Sequence, residues 1–345
     1  MTSKFYLLII ILFISVSSAL AQDSLDVHFN GLGFLDNREY KTFVERSRTY
    51  SGARTELDFG LNMDSLNHFV VGVNGIHEFG AQPYFLKVDP VAYYSFKSAK
   101  WLFNAGMFPR AGLLDNYPRA LLNDTLMYYR PNVEGLLARY STKNGYETGW
   151  LDWVSRQTAT AREQFLFGAE GKFLPDSKGS FYISNYFLLM HDAGPAVPIP
   201  NDHIRDNGGA QVRLGLDLTR HTSLDSLAFE AGGMISLERT RGFDQWRIPK
   251  GFVAAAYIAF LKRFAVRDEF YAGQGHYITY GDSYYEKKVY NRMDMIFTPF
   301  DYKHIKGQFI LSLHFSPGQF NDNQEAFRVT YDLGRQTIKR FNGDR

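Results

Sequence analysis

Cysteine is absent from the 345 residues, so neither a disulfide framework nor a thiolate metal site is available. The same absence after the apolar leader removes the lipoprotein anchor from expectation. Long apolar runs are also missing. After Ala21 the longest is Phe252 to Leu261, about half of what a spanning helix needs, which excludes an α-helical membrane protein. Neither sign of charge dominates: 38 Lys and Arg stand against 36 Asp and Glu. The basic residues are dispersed among the acidic ones, so no nucleic-acid partner is expected. Gly-x-Ser-x-Gly, a phosphate loop and a dinucleotide fingerprint are all missing. No internal repeat or low-complexity linker divides the chain.

What is present begins with a leader. Lys4 precedes the apolar stretch Phe5 to Val16, and Ala19-Leu20-Ala21 offers small residues to a signal peptidase. The apolar core is too short to span a bilayer. Residues 1–21 are therefore expected to be a signal peptide and 22–345 a single mature domain with no periplasmic extension or N-terminal plug. Aromatic residues make up 16%, with 30 Phe and 22 Tyr. That tyrosine content suits girdles at membrane interfaces, where the ring is buried and the hydroxyl is wet.

The mature chain alternates apolar and polar residues in segments of about ten. Ala210, Val212, Leu214, Leu216 and Leu218 share one face against Gln211, Arg213, Gly215 and Asp217. Phe309, Leu311, Leu313 and Phe315 oppose Gln308, Ser312 and His314, and Phe327, Val329 and Tyr331 oppose Arg328, Thr330 and Asp332. Successive side chains of a strand point to opposite faces, so each segment reads as a strand with one apolar side. Strands are expected at 25–34, 54–63, 69–79, 85–96, 101–109, 134–142, 146–156 and 165–173, then at 181–191, 210–219, 228–239, 252–261, 264–275, 290–299, 306–316 and 324–334. Mixed faces around Trp150 and Trp153, and around Asp268, point to a bulge in 146–156 and another in 264–275.

Alternate connections are short and long. Short ones such as Lys97 to Lys100, Lys143-Asn144-Gly145 and Lys262-Arg263 are assigned to the periplasm. Long ones such as Leu35 to Ala53, Arg110 to Val133, Asp192 to Gly208 and Tyr277 to Val289 are assigned outside. The expected fold is all-β: a transmembrane antiparallel up-and-down barrel of about 16 strands, within 14–18. A secreted sandwich or propeller would show the same alternation but would bury the apolar faces.

By leader, dyad repeat and loop alternation the chain resembles the porin-like outer-membrane barrels of Gram-negative bacteria. Asp36-Asn37-Arg38-Glu39-Tyr40, Leu114-Asp115-Asn116-Tyr117-Pro118-Arg119 and Asp202-His203-Ile204-Arg205-Asp206-Asn207 look like loops of Bacteroidota barrels. The chain departs from that pattern by continuing past Leu333 with about a dozen polar residues. The resemblance implies outer-membrane lipid and the membrane's assembly machinery as partners, and a channel for a small hydrophilic solute.

The longest loop carries Arg110, Asp115, Arg119, Asp124 and Arg130 with apolar Leu113, Leu114, Leu121, Leu122 and Met127. It is expected to fold inward and set a constriction; packing on the rim is the alternative. The inner face is expected to bear Glu56, Asp58, Arg139, Glu170, Lys172, Arg213, Asp217, Glu230, Glu238, Arg328 and Asp332, a mixture of signs that gives no simple charge filter. His191-Asp192 and Asp202-His203, with Arg205 and Asp206, form two Asp/His pairs that suggest hydrolysis at the rim or simple loop structure. Trp246 and Arg247 with Tyr277, Tyr280, Tyr284 and Tyr285 suggest a sugar platform or an outer girdle. No zinc motif is present; calcium on Asp202, Asp206 and Asp115 is compatible with loop oxygen ligands but not specified by spacing. The expectation is a porin-like channel without catalytic residues or cofactor. A closed barrel that binds an extracellular glycan or partner protein is the alternative, and a rim-active hydrolase stands behind both.

Overall fold

The computed structural model describes residues 23–41, 45–176 and 179–341; the leader expected at 1–21 lies outside them. The strands are β1 (Ser24–Glu39), β2 (Arg48–Asn62), β3 (Asn67–Glu78), β4 (Lys87–Lys97), β5 (Trp101–Pro109), β6 (Asn132–Thr142), β7 (Gly145–Ser155), β8 (Glu163–Phe173) and β9 (Phe181–Ala193). They continue with β10 (Arg205–Asp217), β11 (Ser226–Thr240), β12 (Lys250–Phe260), β13 (Phe264–Gly273), β14 (Val289–Tyr302), β15 (Ile305–Ser316), β16 (Gln319–Asp332) and β17 (Gln336–Arg340). From β1 to β16 each pairs antiparallel with its sequence neighbour. The sheet closes because β1 bonds to β2 on one edge and to β16 and β17 on the other.

β17 accounts for the polar tail. β16 covers Asn30 to Glu39 of β1, and β17 covers Ser24 to Val27. The two act as one interrupted sixteenth strand, so the barrel has sixteen staves and no free edge. Several strands run past the membrane band. β1 reaches Glu39 and β2 starts at Arg48, so much of the expected loop from Leu35 to Ala53 is a hairpin standing above the rim.

The alternation sorts as the pleat requires. Outward Val71, Val73, Val212 and Leu214 are 61%, 51%, 53% and 53% exposed, whereas inward Glu56, Asp58 and Arg213 are at most 2% exposed. Near the periplasmic end Phe260, Phe264, Phe297, Phe309 and Phe327 stack in succession across β12 to β16. This ring wall is a girdle of the kind interfaces favour.

The bulge expected in β7 lies between Trp153 and Ser155. The one expected in β13 is absent: its ladder to β14 runs unbroken from Phe264 to Ala272. Asp268 instead points outward among lipid-facing residues, where the Asn291 amide donates to its Oδ1 at 2.7 Å. Intramolecular pairing replaces the register slip. The β12–β13 turn falls on Leu261 and Lys262, both with positive φ, one residue earlier than expected. That backbone twist matches a tight hairpin.

Candidate functional site

The inward wall carries charged groups along its height, and toward the exterior apolar side chains join them. Leu137, Leu166, Leu188, Met190, Met234 and Val253 all point inward and are 5% exposed or less. They pack with Leu114, Tyr117, Ala120, Leu121 and Leu122 of the 110–131 connection and with Ile278, Tyr284 and Tyr285 of the 274–288 connection. An apolar core thus occupies the extracellular half of the barrel. Burial against this wall explains the leucines of the long loop. Tyr284 and Tyr285 belong to neither a sugar platform nor a girdle, because both are buried in this core. Tyr280 is half-buried, with its hydroxyl 3.4 Å from Gln164 Oε1.

The loop's charged residues are anchored on inward-facing groups. Asp124 lies 3.3 Å from Arg38, 3.5 Å from Arg328, and 3.9 Å from both Arg119 and Arg292. Burial works to raise its pKa, but Arg292, Arg119, Arg328 and Arg38 outweigh it and hold the carboxyl well below the ordinary range. Arg119 also reaches Asp294 at 3.0 Å. Arg110 and Arg130 share Asp152 at 2.5 and 3.4 Å. Asp115 is exposed and accepts a hydrogen bond from the Gly112 amide at 2.8 Å.

On the wall itself, Arg139 meets Glu170 at 3.0 Å, and Arg213 meets Glu230 and Glu269 at 3.3 and 3.0 Å. Lys172 sits 3.6 Å from the Tyr182 ring centroid. Glu238 pairs with Arg247 at 2.6 Å. Asp217 and Asp332 stand at the periplasmic strand ends. Glu269 and Arg292, which complete these networks, were missed in sequence because mixed alternation hid the faces of their strands.

The two Asp/His pairs do not form contacts. Asp192 and Asp202 both bind Arg162, while the His191 ring faces outward and stacks on Phe165 at 4.4 Å. The His203 ring meets Phe243, and its carbonyl accepts from Arg162. Asp206 is held by Arg239 and Arg241 at 2.5 and 2.7 Å. These carboxylates are thus taken by arginine and not gathered around an ion. Among the described residues, His28, Glu56 and Asp58 are the group close enough to share one.

One stretch of rim differs from the rest. Lys250 opens β12 on the outward face, directly above lipid-facing Phe252. Arg247, Gln274 and Lys288 border a surface notch of about 450 Å³ with Ile248, Pro249 and Gly273, next in sequence to Lys250. Among the described residues no carboxylate pairs with Lys250 or Lys288 within 4 Å. Beside it stands the Arg239 guanidinium, 4.2 Å from the Trp246 ring centroid. Arg205 lines the adjoining hollow with Arg239, Arg247 and Tyr277. Phe243 and Ile248, 70% and 49% exposed, project from the same rim.

Solved structures similar to this fold include outer-membrane porins. A double-mutant porin of Rh. blastica aligns with a TM-score of 0.52 at 12% identity, over 90% of this chain and 100% of that one. The outer membrane protein opdK of Pseudomonas aeruginosa aligns at 0.50 and 9% identity, over 90% and 99%. At such identities the likeness is one of fold, and with the closed sixteen-stranded sheet it places the protein in the outer membrane. Comparison with curated proteins found no match. The model of the "Lipid A 3'-O-deacylase-type" family matches residues 17–337. With nearly the whole barrel inside that match, the chain belongs to the lipid A 3'-O-deacylase-type family.

Proposed function

We propose that the barrel engages lipid A-type glycolipid in the outer leaflet, at the cationic rim of β10 to β14, with acyl-ester hydrolysis of the family's named kind as its reaction. The observation that carries this reading is the pairing of a basic notch with an apolar wall. Arg247 and Lys288 line the notch, and Lys250 opens β12 at the extracellular rim beside them. Phe252, 48% exposed, and Val289, 37% exposed, lie beneath them. Around this rim six cations (Arg205, Arg239, Arg241, Arg247, Lys250, Lys288) meet three carboxylates, Asp206, Glu238 and Asp244. An amphiphile with phosphates above acyl chains matches both halves: charge-assisted bonds hold the phosphates, and apolar contact holds the chains. The packed extracellular half of the lumen supports a surface task over free diffusion through the interior.

The test is direct. Lipid A from outer membranes with and without the protein is compared by mass spectrometry, and binding of purified barrel to lipid A micelles is measured for wild type and for Lys250→Glu with Lys288→Glu. Loss of one acyl chain, and weaker binding in the variant, are expected. Unchanged lipid A together with charge-independent binding would overturn the reading.

A second reading, a gated channel for small hydrophilic solutes, is favoured by one feature. Below the loop a cavity of about 350 Å³ is lined by Arg119, Glu230, Arg267, Asp294 and Arg328. In that reading Arg110, Asp115, Arg119, Asp124 and Arg130 set the constriction, and stepwise conductance in planar bilayers is its signature.

A further inference from the structure

We propose that His28, Glu56 and Asp58 form a divalent transition-metal site at the periplasmic end of the lumen, on the seam where the barrel closes. His28 lies on β1, Glu56 and Asp58 on β2, and the two strands place His28 directly opposite Asp58. One donor atom from each residue lies within 4.8 Å of the other two. Glu56 is 1% exposed and Asp58 is fully buried.

The surroundings are arranged as a metal site needs. The outward atom of each donor is held by another group, leaving an inward atom for an ion. His28 Nε2 lies 2.9 Å from Asp332 Oδ1, so a proton on Nε2 leaves the Nδ1 lone pair facing Asp58 Oδ2 at 3.1 Å. The Asn74 amide donates to Glu56 Oε2 at 2.7 Å, while Glu56 Oε1 has no hydrogen-bond partner. Arg335, from the segment between β16 and β17, binds Asp58 Oδ1 at 2.8 Å and Asp26 at 2.9 Å. A nearly wholly buried carboxylate oxygen with no donor is costly, and a cation is the partner that the position lacks.

Charge points the same way. Four carboxylates (Asp26, Glu56, Asp58, Asp332) gather here against the guanidinium groups of Arg54 and Arg335. Two positive charges are missing if the imidazoles of His28 and His68 are neutral, and one divalent ion supplies them. A nitrogen donor beside two carboxylates suits zinc and its neighbours, whereas calcium prefers an all-oxygen shell. Sequence spacing could not show this set, because the ligands are thirty residues apart and meet only through strand register. An ion here would tie β1 and β2 together beside the closure with β16.

Full-length mature barrel, folded in detergent and stripped with EDTA, is titrated with zinc chloride and, in parallel, with calcium chloride. Bound metal is counted by elemental analysis after dialysis. One zinc per barrel is expected, and cobalt should give an absorption band of its bound form. Glu56→Gln and His28→Asn should each weaken zinc binding at least tenfold (about 10-fold or more) while migrating as folded, heat-modifiable barrel. Asp332→Asn should weaken it by about 10- to 100-fold, and His191→Asn should leave it unchanged. Absence of stoichiometric zinc in folded wild type would overturn the proposal and leave a protonated His28 bridging Asp58 and Asp332. Zinc binding that survives both Glu56→Gln and His28→Asn, or a preference for calcium, would overturn it equally. Should either variant fail to fold, the Asp332→Asn titration decides in its place.

Discussion

Replacing Asp124 with Asn tests whether the long loop is locked in place by charge. The carboxylate is 13% exposed at the side chain and has four guanidinium groups between 3.3 and 3.9 Å. At such distances and an effective dielectric of about 20, each pair is worth roughly 4–5 kcal/mol before desolvation is subtracted. Desolvation removes much of this, and deleting one member of a buried ion pair costs about 3–5 kcal/mol in practice. Asn keeps the shape and loses the charge. The cost should fall on the seating of the 110–131 segment, because the sheet's hydrogen bonds do not pass through Asp124. The unseated population should therefore rise by roughly two to four powers of ten. Two assays read this: trypsin cleavage after Arg119 in folded barrel, and conductance in planar bilayers. Both should increase in Asp124→Asn. Asp115→Asn is the control; Asp115 is exposed and holds only the Gly112 amide, so its change should cost about 1 kcal/mol or less. Adding Arg328→Gln to Asp124→Asn should recover part of the loss by removing one stranded cation. Protease resistance and conductance equal to wild type in Asp124→Asn would refute the electrostatic lock.

Other consequences follow from the same geometry. Asp268 stands on the lipid face of β13, four residues from Phe264 and five from Gly273, so Asp268→Leu should stabilise the folded barrel by about 1–2 kcal/mol in urea titrations in lipid; destabilisation would show that the Asp268–Asn291 pair is needed. Leu121 is fully buried, and Leu121→Ala should cost about 2–5 kcal/mol of loop packing, read as faster proteolysis within residues 110–131. Burial, with Arg247 adding to it, lowers the His276 pKa to about 4. A released segment binds that proton near 6.5, so seating of residues 274–288 should weaken as pH falls from about 6.5 to 4. Asp282 opposes this: burial raises its pKa to about 6 despite Arg292, so its seat strengthens as pH falls through the same range. Limited proteolysis at pH 7 and pH 4.5 in Asp282→Asn, with and without His276→Phe, separates the two; acid sensitivity that persists without His276 would refute the assignment.

Much of the barrel could be read directly, because the dyad pattern is a local property. Val212 and Arg213 announce opposite faces from their own neighbours, and the turn at Lys143-Asn144-Gly145 marks itself. Strand ends above the membrane were less legible. Asp36 and Arg38 look like loop residues, yet they are buried inside the hairpin and pair at 3.0 Å. β13 misled for a physical reason: a carboxylate on the lipid face breaks the rule on which the pattern rests, and Asn291, far off in sequence, compensates it. The candidate sites were the least legible. Adjacent Asp192 and His191 suggested chemistry, but neighbours along a strand point to opposite faces. His28 suggested nothing and Asp58 only an inward-facing charge, although antiparallel pairing sets them side by side.

The same rule separates the two faces of this barrel as places for function. Inside, the 110–131 and 274–288 segments supply Leu121, Leu122, Tyr284 and Tyr285 to apolar wall positions, and arginines clasp Asp124 from several strands at once. Such an interior resembles a protein core, and opening it would expose both leucines and uncompensated charge. Outside, the apolar band is interrupted by Asp268 with Asn291 and by Glu147 with Asn185, and above it the rim gathers Arg247, Lys250 and Lys288 over Phe252. A substrate that already resides in the outer leaflet needs no path through the lumen to reach that rim. A sixteen-stranded wall filled from within can hold such a surface rigid, because each outward rim residue is backed by a packed interior. On that view the inward loops help to hold the rim in shape, and conductance gained by Asp124→Asn should be accompanied by weaker lipid A binding at Lys250 and Lys288, although neither lysine was changed.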